Sequence, residues 1–499
     1  MLDLFIEGLS IAFTLENFIF MFFGCVLGIV FAAIPALTFS TALILLIPLT
    51  FGLTPIAAIS VLLGVFAGGM TGGSISSILL GIPGTPSAAA TVIDGYLLAK
   101  KGQAGKALGM AIYSSVFGGI FSLLVLILVA PQIAKVAIKF GPVELFALVV
   151  FGFSTIISLS ETSIVKGILA GLFGLLLCTI GLDPVMGLQR YTFGFANLMT
   201  GVGLMPVMIG MFALPEIIDN FLQASKNRHK PPVKQKQQVK ANFPSLKEMK
   251  EAFILNLQAS AIGTFVGAIP GTGGPIACFM ALDVAKRKNP KVGTGHIDGV
   301  IAPESANNGV TGGALIPLLT LGIPGDSATA IMLGALMIHG LVPGPLLFRD
   351  NGALVYAIFI SILIINFMVL AIQFIGMKLF VKVLDIPKVN LMSMILVMAV
   401  VGSFAINLNY ADIVVMFFAG LLGYFMKKFG FPIVPLILGL VLGYSIEDNF
   451  RKSLVFSDGS LGIFVTSPVS LVFLILAVLM LLAPTIRSWL NKNKAKKAI

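Results

Sequence analysis

The chain has 499 residues, of which 58% are apolar and 11% charged, and its mean hydropathy is +1.04. Soluble domains run near about 25% charged, so this composition excludes an ordinary water-soluble enzyme, a disordered protein and a nucleic-acid binder. The net charge of +11, from 32 Lys and Arg against 21 acids, marks cytoplasmic loops of a membrane protein rather than an anionic partner.

At roughly 20 to 25 apolar residues per crossing, the chain has room for on the order of ten to twelve helical spans. The opening MLDLFIEGLSIAF carries Asp3 and Glu7 and lacks the basic n-region and cleavage site of a signal peptide, so no segment is expected to be removed. The first apolar run reaches a tip at Pro35, Ala36, Leu37, Thr38, Phe39 and Ser40, and the uncharged turn Phe51 to Pro55 follows. Next come GGMTGGS (Gly68 to Ser74) and GIPGTPS (Gly81 to Ser87), both expected to interrupt helix. Residues 224–250 hold Lys226, Arg228, Lys230, Lys234, Lys236, Lys240, Lys247 and Lys250 against Glu248, with Pro231, Pro232 and Pro244. They read as a cytoplasmic linker, with an anionic-lipid or nucleic-acid patch as the alternative. The apolar stretch Ala252 to Ala285 is divided by PGTGGP (Pro270 to Pro275), and each half of roughly 17 residues reaches about 25 Å, short of a full crossing. That favours a re-entrant hairpin over two short spans joined by a turn. NNGVTGG (Asn307 to Gly313) and GIPGDS (Gly322 to Ser327) are the second half's expected breaks, and the basic tail 487–499 reads as cytoplasmic. Cys25, Cys178 and Cys278 lie far apart with no metal-ligand spacing, and His229, His296 and His339 are isolated, so no transition-metal site is expected.

The chain repeats itself. GIVFAAIP (Gly28 to Pro35) lies on GTFVGAIP (Gly263 to Pro270), and the segment from Met70 lies on that from Val310 with single-residue gaps. IVKGILAGLFG (from Ile164) lies on IVVMFFAGLLG (from Ile413). The predicted division is therefore a first membrane repeat at 1–223, the linker at 224–250, a second repeat at 251–486 and the tail at 487–499. Equivalent loops differ in charge. Lys286, Arg287, Lys288 and Lys291 stand opposite the uncharged Phe51 to Pro55, Lys100, Lys101 and Lys106 opposite the balanced Arg349 and Asp350, and Lys427 and Lys428 opposite the uncharged Cys178 to Gly181. By the positive-inside rule this reads as an inverted repeat, with the N-terminus outside and the linker and tail inside. The expected fold is an all-α polytopic membrane protein with re-entrant hairpins and broken helices, the architecture of secondary transporters.

Glycine and proline leave backbone groups unpaired in lipid unless something binds them, and an anionic substrate on half-helix N-termini or a cation on carbonyls would do so. Close helix packing is the alternative reading of these glycines. The expected substrate contacts are Thr38, Ser40, Thr71, Gly72, Gly73, Ser74, Thr85, Pro86 and Ser87 from the first half, and Thr272, Gly273, Asn307, Asn308, Thr311, Gly312, Gly313, Asp326 and Ser327 from the second. The candidates for the coupling ion are Asp94, Glu304, Asn308, Gly271 and Gly325. Glu304 reads as a cation ligand or proton carrier, or else as a cytoplasmic helix cap, and Asp94 equally as an interfacial partner of Lys100 and Lys101. No metalloprotease, serine-hydrolase, Walker or dinucleotide motif is present, so the chain reads as no enzyme and an ion gradient as its energy source.

At these residues the sequence resembles the large membrane subunit of tripartite tricarboxylate transporters, the TctA family. The motifs are FAGGMTGGSISSILLGIPGTPSAAATVIDGYLLAKKGQAGKALG, GAIPGTGGP, APESANNGVTGGALIPLLTLGIPGDSATA and HGLVPGPLLF. The resemblance implies a cation-coupled, usually sodium-coupled, importer of citrate-like or related carboxylates in the bacterial inner membrane. It also implies a periplasmic binding protein and a small four-span membrane subunit as partners. An elevator motion is a weaker expectation, by analogy with other carboxylate transporters. Leu37 and Phe39 make the first tip bulkier than such tips usually are, which would suit a less charged substrate. No membrane-embedded arginine is evident, leaving recognition to hydroxyls, amides and helix N-termini. Proton coupling through Glu304 or Asp94, and a channel, are the competing readings.

Overall fold

The computed structural model describes residues 2–35, 37–158, 163–183, 187–226, 241–383 and 388–497. Tip residue Ala36, residues 227–240 of the expected linker and residues 498–499 of the tail lie outside the described residues. The helices are α1 (Leu2–Ala12), α2 (Leu15–Ala33), α3 (Phe39–Leu46), α4 (Pro55–Leu80), α5 (Ala89–Lys100), α6 (Ala104–Ala137), α7 (Pro142–Ser158), α8 (Ile164–Cys178), α9 (Leu204–Lys226) and α10 (Leu246–Ala268). They continue with α11 (Gly273–Lys288), α12 (Asp298–Leu321), α13 (Ser327–Ile338), α14 (Pro345–Asp350), α15 (Gly352–Val383), α16 (Lys388–Asn407), α17 (Tyr410–Lys428), α18 (Ile433–Phe456), α19 (Ile463–Thr466) and α20 (Pro468–Lys497). One short antiparallel pair, β1 (Gly181–Leu182) with β2 (Gln189–Arg190), departs from the all-helical expectation.

Among the described residues seven helices are long and apolar enough to cross a membrane: α2, α4, α6, α9, α15, α17 and α18. That is fewer than the ten to twelve spans expected, because several apolar runs end early and form helices of 10–17 residues, among them α7, α8 and α13. The glycine clusters give a second correction. α4 runs unbroken through Gly68 to Ser74, and α12 unbroken through Asn307 to Gly313. These glycines serve close packing instead. A Cβ on Gly64 would stand 2.7 Å from the Met21 carbonyl oxygen and one on Gly72 2.6 Å from that of Ile29, so α4 lies directly on α2. The second half repeats the device, since a Cβ on Gly309 would stand 2.7 Å from the Ser260 carbonyl oxygen and one on Gly313 would overlap that of Thr264, on α10.

The true breaks are where proline joins glycine. α4 ends at Gly81 and α12 at Gly322, with φ of +67° and +70°, a left-handed conformation that glycine adopts without Cβ strain. Threonines restart the first-half helices: Thr38 accepts the Thr41 N–H at the start of α3, and Thr54 the Ala57 N–H ahead of Pro55. In the second half Ser245 with Glu248, and Asp326 with Thr329, form capping boxes for α10 and α13.

The chain divides into two compact units, one of Met1–Ala134 with Glu216–Ile406 and one of Lys135–Pro215 with Asn407–Ile499. Each unit draws on both repeats. The first holds the breaks and most of the predicted site residues, around the adjoining helices α4 and α12. In the second, α8 and α18 meet through Gly171, Gly174 and Gly439, and Gly210 on α9 meets Met416 on α17. This unit also holds charges that the sequence reading overlooked. Arg190 on β2 makes a bidentate pair with Glu447 on α18, at 2.7 and 3.3 Å, and Arg451 reaches both Glu447 at 2.7 Å and Asp183 at 3.0 Å. These arginines tie the β-hairpin to α18.

Candidate functional site

α12 carries the centre of the site. Glu304 is 1% exposed, and the Thr91 hydroxyl on α5 donates to its Oε1 at 2.6 Å while the Ser115 hydroxyl on α6 donates to its Oε2 at 3.1 Å. It lies two turns inside the helix, so the cap reading fails; Asp298 occupies the first turn. Among the described residues it forms no ion pair. One turn on, Asn308 accepts from the Thr71 hydroxyl at 3.2 Å and donates to the Glu304 carbonyl at 3.2 Å. The two halves thus meet through Thr71 and Asn308, both expected in the site. Ser122 on α6 accepts the Gly312 N–H at 3.1 Å and donates to the Asn308 carbonyl at 3.2 Å. It thus touches both ends of the Asn308–Gly312 turn of α12.

Asn307 points elsewhere. Its Nδ2 donates to the Met70 carbonyl at 2.7 Å, while its Oδ1 is buried without a partner among the described residues. Gly274, at the start of α11, faces this group: a Cβ there would overlap the Ser87 hydroxyl and stand 3.0 Å from Asn307 Oδ1. Ser87, Gly274 and Asn307 therefore converge from a break, a helix start and α12. Thr311 Oγ1 is also buried and unpartnered. Its repeat counterpart Thr71 bonds Asn308, whereas the counterpart of Asn308 is Gly68, which has no side chain to offer.

The remaining candidates take local roles. The Gly271 N–H donates to the Gly325 carbonyl at 2.7 Å, which joins the PGTGGP tip to the GIPGDS break and occupies one proposed cation ligand. Thr272 sends its hydroxyl back to the carbonyls of Val266 and Ile269. Asp326 receives the Thr329 N–H at 2.8 Å, Ser74 bonds the Thr71 carbonyl at 2.7 Å, and Thr85 accepts the Ala88 N–H at 3.3 Å. Gly72, Gly73, Gly312 and Gly313 lie in helix interiors under close neighbours, Gly73 beneath the Thr85 hydroxyl and Gly312 against Ser122. Pro86 is exposed, and Gly273 and Ser327, at the first positions of α11 and α13, are half-buried. Asp94 is fully buried and accepts the N–H groups of Gly293, Gly295 and His296 at 2.7 to 2.9 Å, so it anchors the loop before α12, and its neighbour Lys101 bonds the Thr294 carbonyl of that loop.

At the first-half tip, Thr38 and Thr41 share a 3.1 Å hydroxyl contact and Thr41 donates to Glu216 on α9 at 2.7 Å, while Ser40 is half-buried. Sequence reasoning missed Thr41, Glu216, Thr91, Ser115 and Ser122. Two signals were there: an acid after Pro215 within an apolar run, and the Ser114 and Ser115 pair in the otherwise apolar α6.

Fold and site together define a polytopic helical membrane protein whose interrupted helices enclose buried polar groups. A family model described as "Tripartite tricarboxylate transporter TctA family" matches residues 18–438, and the chain belongs to this family of transporters. It is 36% identical over 491 residues to an "Uncharacterized 52.8 kDa protein in TAR-I ttuC' 3'region" of Agrobacterium vitis, across 97% of each chain. It is also 37% identical over 232 residues to an "Uncharacterized protein in TAR-II ttuC' 3'region" of Agrobacterium vitis, covering 45% of this chain and 96% of that one. No solved structure matches it.

Proposed function

We propose that this chain is the permease subunit of a secondary-active importer that couples carboxylate entry to a cation gradient, with sodium as the coupling ion. In this reading a periplasmic binding protein delivers the substrate, a small four-span subunit completes the membrane complex, and the site is in the bacterial inner membrane. The tricarboxylate transporter family supports the class. The observation that carries the coupling is Glu304, a buried carboxyl bonded among the described residues by the hydroxyls of Thr91 and Ser115 and one turn from Asn308. A buried carboxylate without a cationic side chain needs either a bound cation or a proton, and both are what a gradient supplies. Recurrence of the glycine contacts in both halves supports the duplicated architecture, and the loop charges support its inversion; an elevator motion enters by analogy with other carboxylate transporters alone.

The test is uptake of labelled carboxylates into vesicles holding the complex, with and without a sodium gradient at fixed pH. Sodium-driven accumulation that is lost in Asn308→Leu, with the protein still in the membrane, is the expected result; unchanged uptake in that variant overturns the site. Proton coupling through Glu304 is the second reading, favoured by the burial of its carboxyl with no ion pair among the described residues, and it predicts uptake driven by a pH gradient in sodium-free buffer. Asp94 fits that role less well, because backbone amides already take both of its oxygens.

A further inference from the structure

The two repeats differ at one position beside the site. Aligned on Pro35 and Pro270, Phe39 in the first half corresponds to Gly274 in the second. Phe39 is buried, with its ring 6.0 Å from that of Phe66, and a Cβ on Gly69 would overlap it. Gly274 has no side chain, and in the space a Cβ would need stand the Ser87 hydroxyl and Asn307 Oδ1. Asn307 Oδ1 has no hydrogen-bond partner among the described residues, and Asn307 is 1% exposed. Thr272, at the N-cap of α11, gives no side-chain cap, so the Gly273 and Gly274 amides at the positive end of this 16-residue helix take no bond from it, and Gly274 stands beside these two groups.

The donors and acceptors are specific. Asn307 Nδ2 is held by the Met70 carbonyl, so what Asn307 offers is an acceptor, which needs a donor on the ligand. The α11 amides offer donors, which suit a carboxylate. Ser87 serves in either sense. We propose that Ser87, Asn307 and the start of α11 form a subsite for a carboxylate that carries a hydroxyl beside it, and that Asn307 is the residue that reads the hydroxyl. This inference rests on the carboxylate-import reading and deepens it. A carboxylate without the hydroxyl leaves Asn307 Oδ1 buried and unpaired, which is the arrangement that discriminates most strongly against a deoxy analogue.

The experiment is competitive uptake by the reconstituted complex of two matched pairs, malate against succinate and citrate against tricarballylate. The wild type should favour the hydroxylated member of the transported pair at least ~10-fold in kcat/KM, and Asn307→Ala should bring the ratio within about twofold while the purified variant keeps its thermal midpoint. Ser87→Ala should weaken uptake of both members of that pair. Equal uptake of both members by the wild type, or a preference that survives Asn307→Ala, overturns the subsite while leaving carboxylate import intact. A change in sodium half-saturation in Asn307→Ala with the preference unaltered overturns it too, because Asn307 would then be a cation ligand. Accumulation of none of the four under any gradient overturns the import reading, and the subsite with it.

Discussion

The tip around Phe39 and its counterpart around Gly274 begin from one duplicated plan and end in opposite states. In the first, an aromatic side chain lies on Gly69 and Phe66 and closes the space, while Thr38 caps α3 and Thr41 reaches Glu216. In the second, glycine keeps the space polar, the N-cap threonine turns back on its own chain, and Ser87 and Asn307 face the bare helix start. At the two aligned positions, side-chain volume decides what packs there: Phe39 fills its tip with an aromatic ring, whereas Gly274 admits the Ser87 hydroxyl and Asn307 Oδ1. The same asymmetry recurs a turn away, where Thr71 pairs with Asn308 while its counterpart Thr311 has no hydrogen-bond partner for its hydroxyl among the described residues.

The comparison breaks most sharply at Gly274. Gly274→Ala places a methyl against the Ser87 hydroxyl and 3.0 Å from Asn307 Oδ1, and we expect uptake to fall roughly 100-fold, read as initial rate in vesicles, since displacements of about an ångström at a site cost that much. A normal rate would mean that the open tip is no more functional than the filled one. Phe39→Ala should act differently, lowering stability by about 3 kcal/mol through the cavity left on Gly69 and Phe66, with transport retained in the molecules that stay folded; thermal unfolding in detergent paired with uptake separates the two effects. Asp94→Asn sharpens the distinction between anchor and carrier. Weakening three charge-assisted bonds to the Gly293–His296 loop should cost about 2 kcal/mol while the sodium and pH dependence of residual uptake stay as in the wild type.

The smallest effect belongs to Glu248, at the start of α10 and far from either tip. The Lys106 ammonium, 2.8 Å away, and the Ser245 hydroxyl and N–H hold its carboxyl down to about 2, below its ordinary value of 4.5. Because the folded value is the lower one, the contribution is fully present above about pH 4.5 and fades as the pH falls toward 2. Lys106→Met should change stability by under about 1 kcal/mol at neutral pH and flatten that acid limb in a melting series.

Much of this was readable from residue order. Proline beside glycine marked the real breaks at Gly81 and Gly322, because those residues end helices through backbone constraints that act locally. Glycine clusters without proline misled, because α4 and α12 keep their helical bonds and the glycines admit α2 and α10 at backbone distance, which depends on a partner distant in the chain. Glu304, Asn307 and Asn308 were visible as polar residues in an apolar run. Their pairing with Thr91, Ser115, Met70 and Thr71 was not, although Thr71 itself was expected in the site, since each partner lies about 190 or more positions away.

Composition thus determined by itself that this is a helical membrane chain, and residue order set the expectation of two related halves, because apolar length and proline or glycine position act through solvent and local backbone geometry. Only the tertiary structure decided which acid is buried among hydroxyls and which anchors a loop, which threonine is paired and which is free, and which tip is open. Those outcomes depend on what stands opposite each side chain once α4, α11 and α12 are packed, and no spacing along one strand of sequence encodes that.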